Sequence, residues 1–353
     1  MDAKKLIAII SHDAGGANIL AALANKYNGS FAWHFILAGP AVRVFSSYPQ
    51  LERMTVPHGS MSGDLFGRGA FDLMVTGTGW QTNHELDGIR FAKERGIPVL
   101  AYLDHWTNYR ERFGTPTNWQ SNLPDFVAVG DAYAYEKAML EGFPKAKLTC
   151  VENPYLESFL QKQDAIREAS SVATTKTLLF LSEPFRPTFH ASGDSQGAAH
   201  TGIEYEALQQ LLNLLLNSKA LDGYTLRIRL HPSESKDKYT DLLRKILGDQ
   251  DPLASRVEVH DPFLCSLEED CCGAEFVIGI SSMALLVSAA LGRKTFSLNP
   301  RGIVTGLPHP EVVQCADEES LATQLFGQYD IGLGIDLKLY KTPFDLEINR
   351  LIG

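Results

Sequence analysis

The sequence has no apolar run approaching the roughly 20 residues needed to cross a bilayer. It has no Cys-x-x-Cys pair and no surplus of basic residues. The first absence argues against a transmembrane span. The five cysteines, Cys150, Cys265, Cys271, Cys272 and Cys315, are odd in number and wrongly spaced for a zinc knuckle or a disulfide framework. A formal net charge of −10 disfavours a protein that wraps nucleic acid, which needs a basic face. A pocket for one or two phosphates can still sit inside an acidic chain. Gly-x-Gly-x-x-Gly and Walker sequences are also missing, so neither dinucleotide nor P-loop chemistry is indicated.

The amino-terminal stretch carries Lys4 and Lys5 before a short apolar run. The run ends after about six residues at His12-Asp13 and a glycine loop, too soon for the hydrophobic region of a signal peptide. It reads as a first buried strand, and a cytoplasmic location is expected. Peripheral membrane association stays open, without a basic amphipathic helix to support it.

What is present is the composition of a globular chain, with 44% hydrophobic and 21% charged residues. A length of 353 residues exceeds what one core organises, so two domains are expected. Strand-like runs alternate with helical spacing throughout. In the first half the predicted strands begin at Leu6, Trp33, Leu73, Val99, Phe126 and Leu148. In the second they begin at Thr177, Thr225, Val257, Phe276 and Lys294.

This is the α/β pattern of two Rossmann-like domains facing across a cleft, a GT-B-like arrangement. The expected boundaries are residues 1–156 for an N-terminal Rossmann-like domain, 157–175 for a linker and 176–330 for a C-terminal Rossmann-like domain. A tail, 331–353, would brace the first domain.

Ligands of open α/β sheets bind beyond the carboxyl ends of strands, and four constellations fall there. Ser11-His12-Asp13-Ala14-Gly15-Gly16 follows the first strand and opens a helix. His12 and Asp13 are placed to act as a base, and Gly15 and Gly16 let backbone approach a ligand. The plainer reading has Asp13 capping the helix and His12 packing beneath the loop. Asp104-His105-Trp106-Thr107-Asn108-Tyr109-Arg110-Glu111-Arg112 follows a second strand. Asp104 and His105 are rival bases, Trp106 and Tyr109 would stack on a sugar, and Arg110 or Arg112 would meet an anion. An interdomain contact with packed aromatics is the alternative.

The other two lie in the second half. Arg229-Leu230-His231-Pro232 ends a strand in a displayed histidine, and Ser281-Ser282-Met283 leads a strand into an apolar helix. The serine hydroxyls and amides would cradle a phosphate without metal, or Ser281 would simply cap the helix.

Together with Leu181-Ser182-Glu183-Pro184, these segments resemble the C-terminal half of bacterial GT-B glycosyltransferases that use CMP-activated sugars, the capsule and lipopolysaccharide sialyltransferases and the Kdo transferases. The resemblance covers roughly residues 177–300. It implies that His231, Pro232, Ser281 and Ser282 bind the nucleotide, with Met283, Ser182 and Glu183 in the same pocket. Those sialyltransferases carry two carboxylates followed by glycine, whose acid is the base; Glu85-Leu86-Asp87-Gly88 is the nearest match, with a leucine intervening. Asp249-Gln250-Asp251 has a metal-binding pattern but sits in a polar turn, so neither metal nor cofactor is expected.

The function expected from sequence is therefore an inverting, metal-independent glycosyltransferase. It would move a sugar from a CMP-sugar donor to a glycan acceptor, with Asp13 as base and Asp104, His12 and His105 as alternates. Rival readings are a nucleotide-sugar epimerase or hydrolase, a polyol-phosphate transferase, and a non-catalytic sugar- or nucleotide-binding protein.

Overall fold

The structure is a computed structural model that describes residues 4–52, 55–56, 71–79, 82–170, 176–185, 202–248, 252–300, 302, 307, 309–327 and 336–353. It divides into two compact units, residues 1–158 with 337–353, and residues 159–336.

The first unit is built on β1 (Leu6–Ser11), β2 (Ala32–Leu37), β3 (Thr55–Val56), β4 (Leu73–Thr76), β5 (Val99–Leu103), β6 (Phe126–Val129) and β7 (Leu148–Cys150). Its helices are α1 (Ala14–Lys26), α2 (Pro40–Ser46), α3 (Pro49–Glu52), α4 (His84–Glu94), α5 (Ala132–Leu140) and α6 (Pro154–Ser170), the last running on into the second unit. The sheet is parallel, in the order β3-β2-β1-β4-β5-β6-β7. Strands β1, β4 and β5 are almost continuously apolar because helices cover both faces of a parallel sheet.

The second unit holds β8 (Thr177–Leu181), β9 (Thr225–Arg229), β10 (Val257–His260), β11 (Phe276–Gly279), β12 (Lys294–Leu298) and β13 (Val313–Cys315). Its helices are α7 (Ile203–Asn217), α8 (Thr240–Leu247), α9 (Leu267–Cys272), α10 (Met283–Ala290) and α11 (Glu318–Phe326). The parallel order is β10-β9-β8-β11-β12-β13. Burial fades toward one edge, from the fully buried β8 through the alternating β9 to the exposed β10. The two Rossmann-like domains expected from the alternation are thus present. The linker expected over 157–175 is, as far as residue 170, the body of α6.

Residues 337–353 form a bridge and a helix, α12 (Phe344–Ile352), within the first unit. Leu339 pairs with Asp131, and Phe344 and Ile348 enter the first unit's core. Glu152, nearly buried, gathers Lys26, the Tyr27 hydroxyl and the Phe344 N–H. Burial alone would raise its pKa, but these hydrogen bonds outweigh it and hold the carboxylate below its ordinary value.

Each sheet reverses its strand order once, at β1/β4 in the first unit and β8/β11 in the second. Chain leaving the two strands at such a point diverges and leaves a crevice at their carboxyl ends. The candidate residues cluster at both.

Candidate functional site

At the β1/β4 switch point, β1 delivers His12 and Asp13, and β4 delivers Gly77, Thr78 and Gly79. Asp13 is the residue before α1, yet its side chain makes no capping bond. Its Oδ1 lies instead 2.7 Å from His12 Nδ1, and both side chains are partly exposed. The His12 ring rests on Gly39, whose φ of 53° is open to glycine and which has no room for a side chain there. A carboxylate on Nδ1 directs the imidazole's other nitrogen to serve as base or acid.

Glu85, in the first turn of α4, reaches into this corner and is 2% exposed. Its Oε1 accepts from the His12 N–H at 2.7 Å. Its Oε2 is buried and has no hydrogen-bond partner among the described residues. Burial first, and then the charge of Asp13, push the Glu85 carboxyl up to about 7. A carboxyl poised there can give or take a proton at neutral pH.

Asp104 ends β5 on the same side. Its Oδ1 accepts from Arg112 at 2.6 Å and from the Thr78 hydroxyl at 3.1 Å. Arg112 is itself buried and also holds the Thr78 carbonyl at 2.5 Å. Asp104 Oδ2 covers Gly15, where a methyl would collide with it, and Gly16 packs against Gly77. The structure therefore brings His12, Asp13, Gly15, Gly16 and Asp104 together, and adds Glu85, Thr78 and Arg112.

The rest of the β5 segment faces elsewhere. Trp106 is 3% exposed and donates its indole N–H to Asp131 at 3.1 Å, while Tyr109 is fully buried against Phe143. The expected sugar-stacking surface is corrected by this burial: both aromatics pack inside the unit. Asp131 is spent on capping α5 through Ala134 N–H, with its carboxyl pushed by burial up to about 6. Arg110 is held by Glu141 at 3.1 Å and lies over Trp119. His105 pairs with the Thr107 hydroxyl at 2.9 Å.

At the β8/β11 switch point the expected phosphate cradle is filled from within. Glu183 Oε1 accepts from the N–H groups of Ile280 (3.1 Å), Ser281 (2.7 Å) and Ser282 (2.9 Å). Its Oε2 accepts from the Ser281 hydroxyl at 2.7 Å. Burial raises the Glu183 carboxyl, opposed by these bonds. The cap of α10 is Ser282, through Ala284 N–H, not Ser281. The phosphate cradle expected from Ser281, Ser282 and Met283 is thus corrected, because the Ser281 and Ser282 amides and the Ser281 hydroxyl already bind a carboxylate.

His231 and Pro232 follow β9, with Ser233 N–H donating to His231 Nδ1 at 3.2 Å. Lys238 ties this corner together. It bonds Glu234, whose other oxygen accepts from His231 N–H, and it reaches the Glu183 carbonyl, Ser182 and Glu204. Ser182 is buried against the Tyr239 hydroxyl at 2.6 Å.

Among the described residues, His260, Cys265 and Asp270 are close enough to share a metal ion. Asp270 is already paired with Arg229 at 2.5 Å and lies 3.6 Å from Arg227, positive charges that repel a cation. Asp249-Gln250-Asp251 lies outside the described residues.

Two parallel α/β units, each with acid or hydroxyl groups at its switch point, define a GT-B-like fold. Comparison with solved structures supports this along the whole chain. UDP-GlcNAc 2-epimerase of Methanocaldococcus jannaschii, in complex with UDP-GlcNAc and UDP, aligns with a TM-score of 0.64 at 14% identity, covering 98% of this chain and 99% of that one. The Neisseria meningitidis enzyme of the same name, bound to UDP-GlcNAc, gives 0.65 at 13%, covering 99% of each. Anabaena Alr3699/HepE in complex with UDP gives 0.53 at 12%, covering 90% and 88%. No protein-family profile matches, and no curated protein matches in sequence.

These neighbours overturn the resemblance to CMP-sugar sialyltransferases and Kdo transferases, and with it the expected transfer to a glycan acceptor. The short motifs reflect what Rossmann-like domains share at strand ends. No helix among the described residues is long and apolar enough to cross a membrane.

Proposed function

We propose that the chain is an enzyme acting on a UDP-activated sugar by moving protons on the sugar itself, as an epimerase does, without a second acceptor. The observation that carries this reading is the pairing of Glu85 with Asp13 and His12 at the β1/β4 switch point. Inverting a carbon takes one group that removes a proton and another that returns one, and both must work near neutral pH. Glu85, raised by burial, fits the acid; the Asp13–His12 pair fits the base. The whole-length likeness to proteins solved with UDP and UDP-GlcNAc supports the substrate class.

The test is to incubate the protein with UDP-GlcNAc alone and separate the products. A second UDP-sugar formed without acceptor supports the reading. UDP plus free sugar replaces epimerisation by hydrolysis. No turnover with UDP-GlcNAc or other UDP-hexoses, together with no UDP binding by calorimetry, overturns it.

A further inference from the structure

Strand β10 (Val257–His260) is the outermost strand of the second sheet, with no strand beyond it among the described residues. Its bonds to β9 decide which of its backbone groups face outward. Val259 lies opposite Ile228 and His260 opposite Arg229, and the His260 carbonyl accepts from the Leu230 N–H at 3.2 Å. In a parallel ladder, a residue bonded to one neighbour uses both its N–H and its C=O on that side, and the next residue turns both the other way. Glu258 and His260 therefore face β9, while Val259 presents its N–H and C=O to the open edge. Val257 shares that side, its N–H already donating to the Ala254 carbonyl. Open edge groups are a template for another strand. Apolar surface lies beside them: Val259 is 41% exposed and Leu264, beyond the strand's end, 85%.

We infer that β10 pairs antiparallel with β10 of a second copy of this chain, about a two-fold axis at Val259. Outward groups meet outward groups when the axis falls at Glu258, Val259 or His260. An axis at Glu258 sets the two Glu258 carboxylates face to face, and one at His260 does the same with the two imidazoles. An axis at Val259 instead places each Glu258 opposite His260 of the other copy, in the non-hydrogen-bonded positions where side chains lie closest. The His260 ring is a carboxylate partner within its own chain as well, with Nδ1 2.9 Å from Asp270 and Nε2 3.4 Å from Glu258. The two Val259 residues then exchange both backbone bonds, and their side chains cover one another on the opposite face of the sheet. Such pairing is self-complementary, as a two-fold interface requires. β10 is four residues long, and its edge covers far less than the roughly 1,600 Å² of a standard interface. The dimer is therefore weak and forms with rising concentration.

Sedimentation equilibrium of the full chain, from low-micromolar to near-millimolar protein, reads the association. A reversible monomer–dimer equilibrium is expected. Val259→Pro removes an N–H that no bond to β9 uses, so the fold keeps its melting temperature within a few degrees. The same change takes a donor from the centre of the shared ladder and weakens association about 10-fold or more. A second variant tests the register without proline. In Val259→Cys the substituted residues face each other across the axis, with Cα atoms about 5.5 Å apart, within reach of a disulfide. Mild oxidation is expected to link two chains through position 259, identified by peptide mass mapping, whereas Val257→Cys, opposite residue 261, does not link to itself. A chain that stays monomeric at every concentration, a dimer that folded Val259→Pro leaves intact, or a cross-link that maps to other positions overturns the inference.

Discussion

Glu85 accepts a 2.7 Å hydrogen bond from the backbone N–H of His12, 73 positions earlier in the chain, while its second carboxylate oxygen is buried without a partner among the described residues. That contact fixes the first turn of α4 to the end of β1 and sets an acid beside the Asp13–His12 pair.

Stability should report this burial directly. The Glu85 carboxyl is raised from 4.5 to about 7, so the folded state holds the proton more tightly than the unfolded chain. A group raised in this way stabilises most below its unfolded pKa, and that contribution fades as pH climbs through the folded value. Wild-type stability is expected to fall by about 3 kcal/mol relative to Glu85→Gln between pH 4.5 and pH 8. Urea unfolding of both proteins across that range checks it; parallel curves would show that Glu85 is not held protonated.

Glu183 is expected to be structural to the β11–α10 turn. Truncating it in Glu183→Ala strands three backbone N–H groups and the Ser281 hydroxyl, at a cost of about 2 to 4 kcal/mol. Ser281→Ala removes one of these bonds and should cost about 1 kcal/mol. Denaturant midpoints of the two variants separate these outcomes, and equal small losses would mean that the turn does not depend on the carboxylate.

Lys238 is the third case. It is nearly buried among Glu204, Glu234, Tyr205 and Tyr239. Lys238→Met leaves two mostly buried carboxylates uncompensated and should destabilise by about 3 to 5 kcal/mol. It should also loosen the loop carrying His231, seen as faster amide exchange at His231 and Ser233; unchanged exchange would detach that loop from the lysine.

Phe344 anchors the C-terminal helix in the first unit's core. Phe344→Ala is expected to cost about 3 to 5 kcal/mol. A loss below about 1 kcal/mol would show that α12 contributes little to that unit.

Much of this architecture is legible in the sequence. Runs such as Leu6–Ser11 and Val99–Leu103 are too apolar to lie anywhere but inside a parallel sheet, and the observed strands match them within a residue or two. Strands β3 and β13 are two and three residues long, too short for a periodic pattern. At the candidate site, the gathering of His12, Asp13 and Asp104 follows from strand-end position. The place of Glu85 beside them does not, because an acid in a helix's first turn usually serves the helix dipole, as the half-buried Asp87 does beside Arg90. Glycines at 77 and 79 were the available sign that something packs closely there. Glu183 shows the opposite failure: Ser281-Ser282 reads as a cradle for an outside anion, and only the fold reveals that a carboxylate 98 positions away has taken it.

The most direct measurement is solvent hydrogen exchange. UDP-GlcNAc is incubated with the protein in heavy water without any acceptor, and the recovered nucleotide sugar is examined by mass and NMR. The expected result is one deuterium on a ring carbon, formed with the wild type and reduced about 100-fold or more by Glu85→Gln or Asp13→Asn. Recovery of an epimerised sugar without deuterium, or equal incorporation by wild type and both variants, would contradict proton transfer by these two carboxylates.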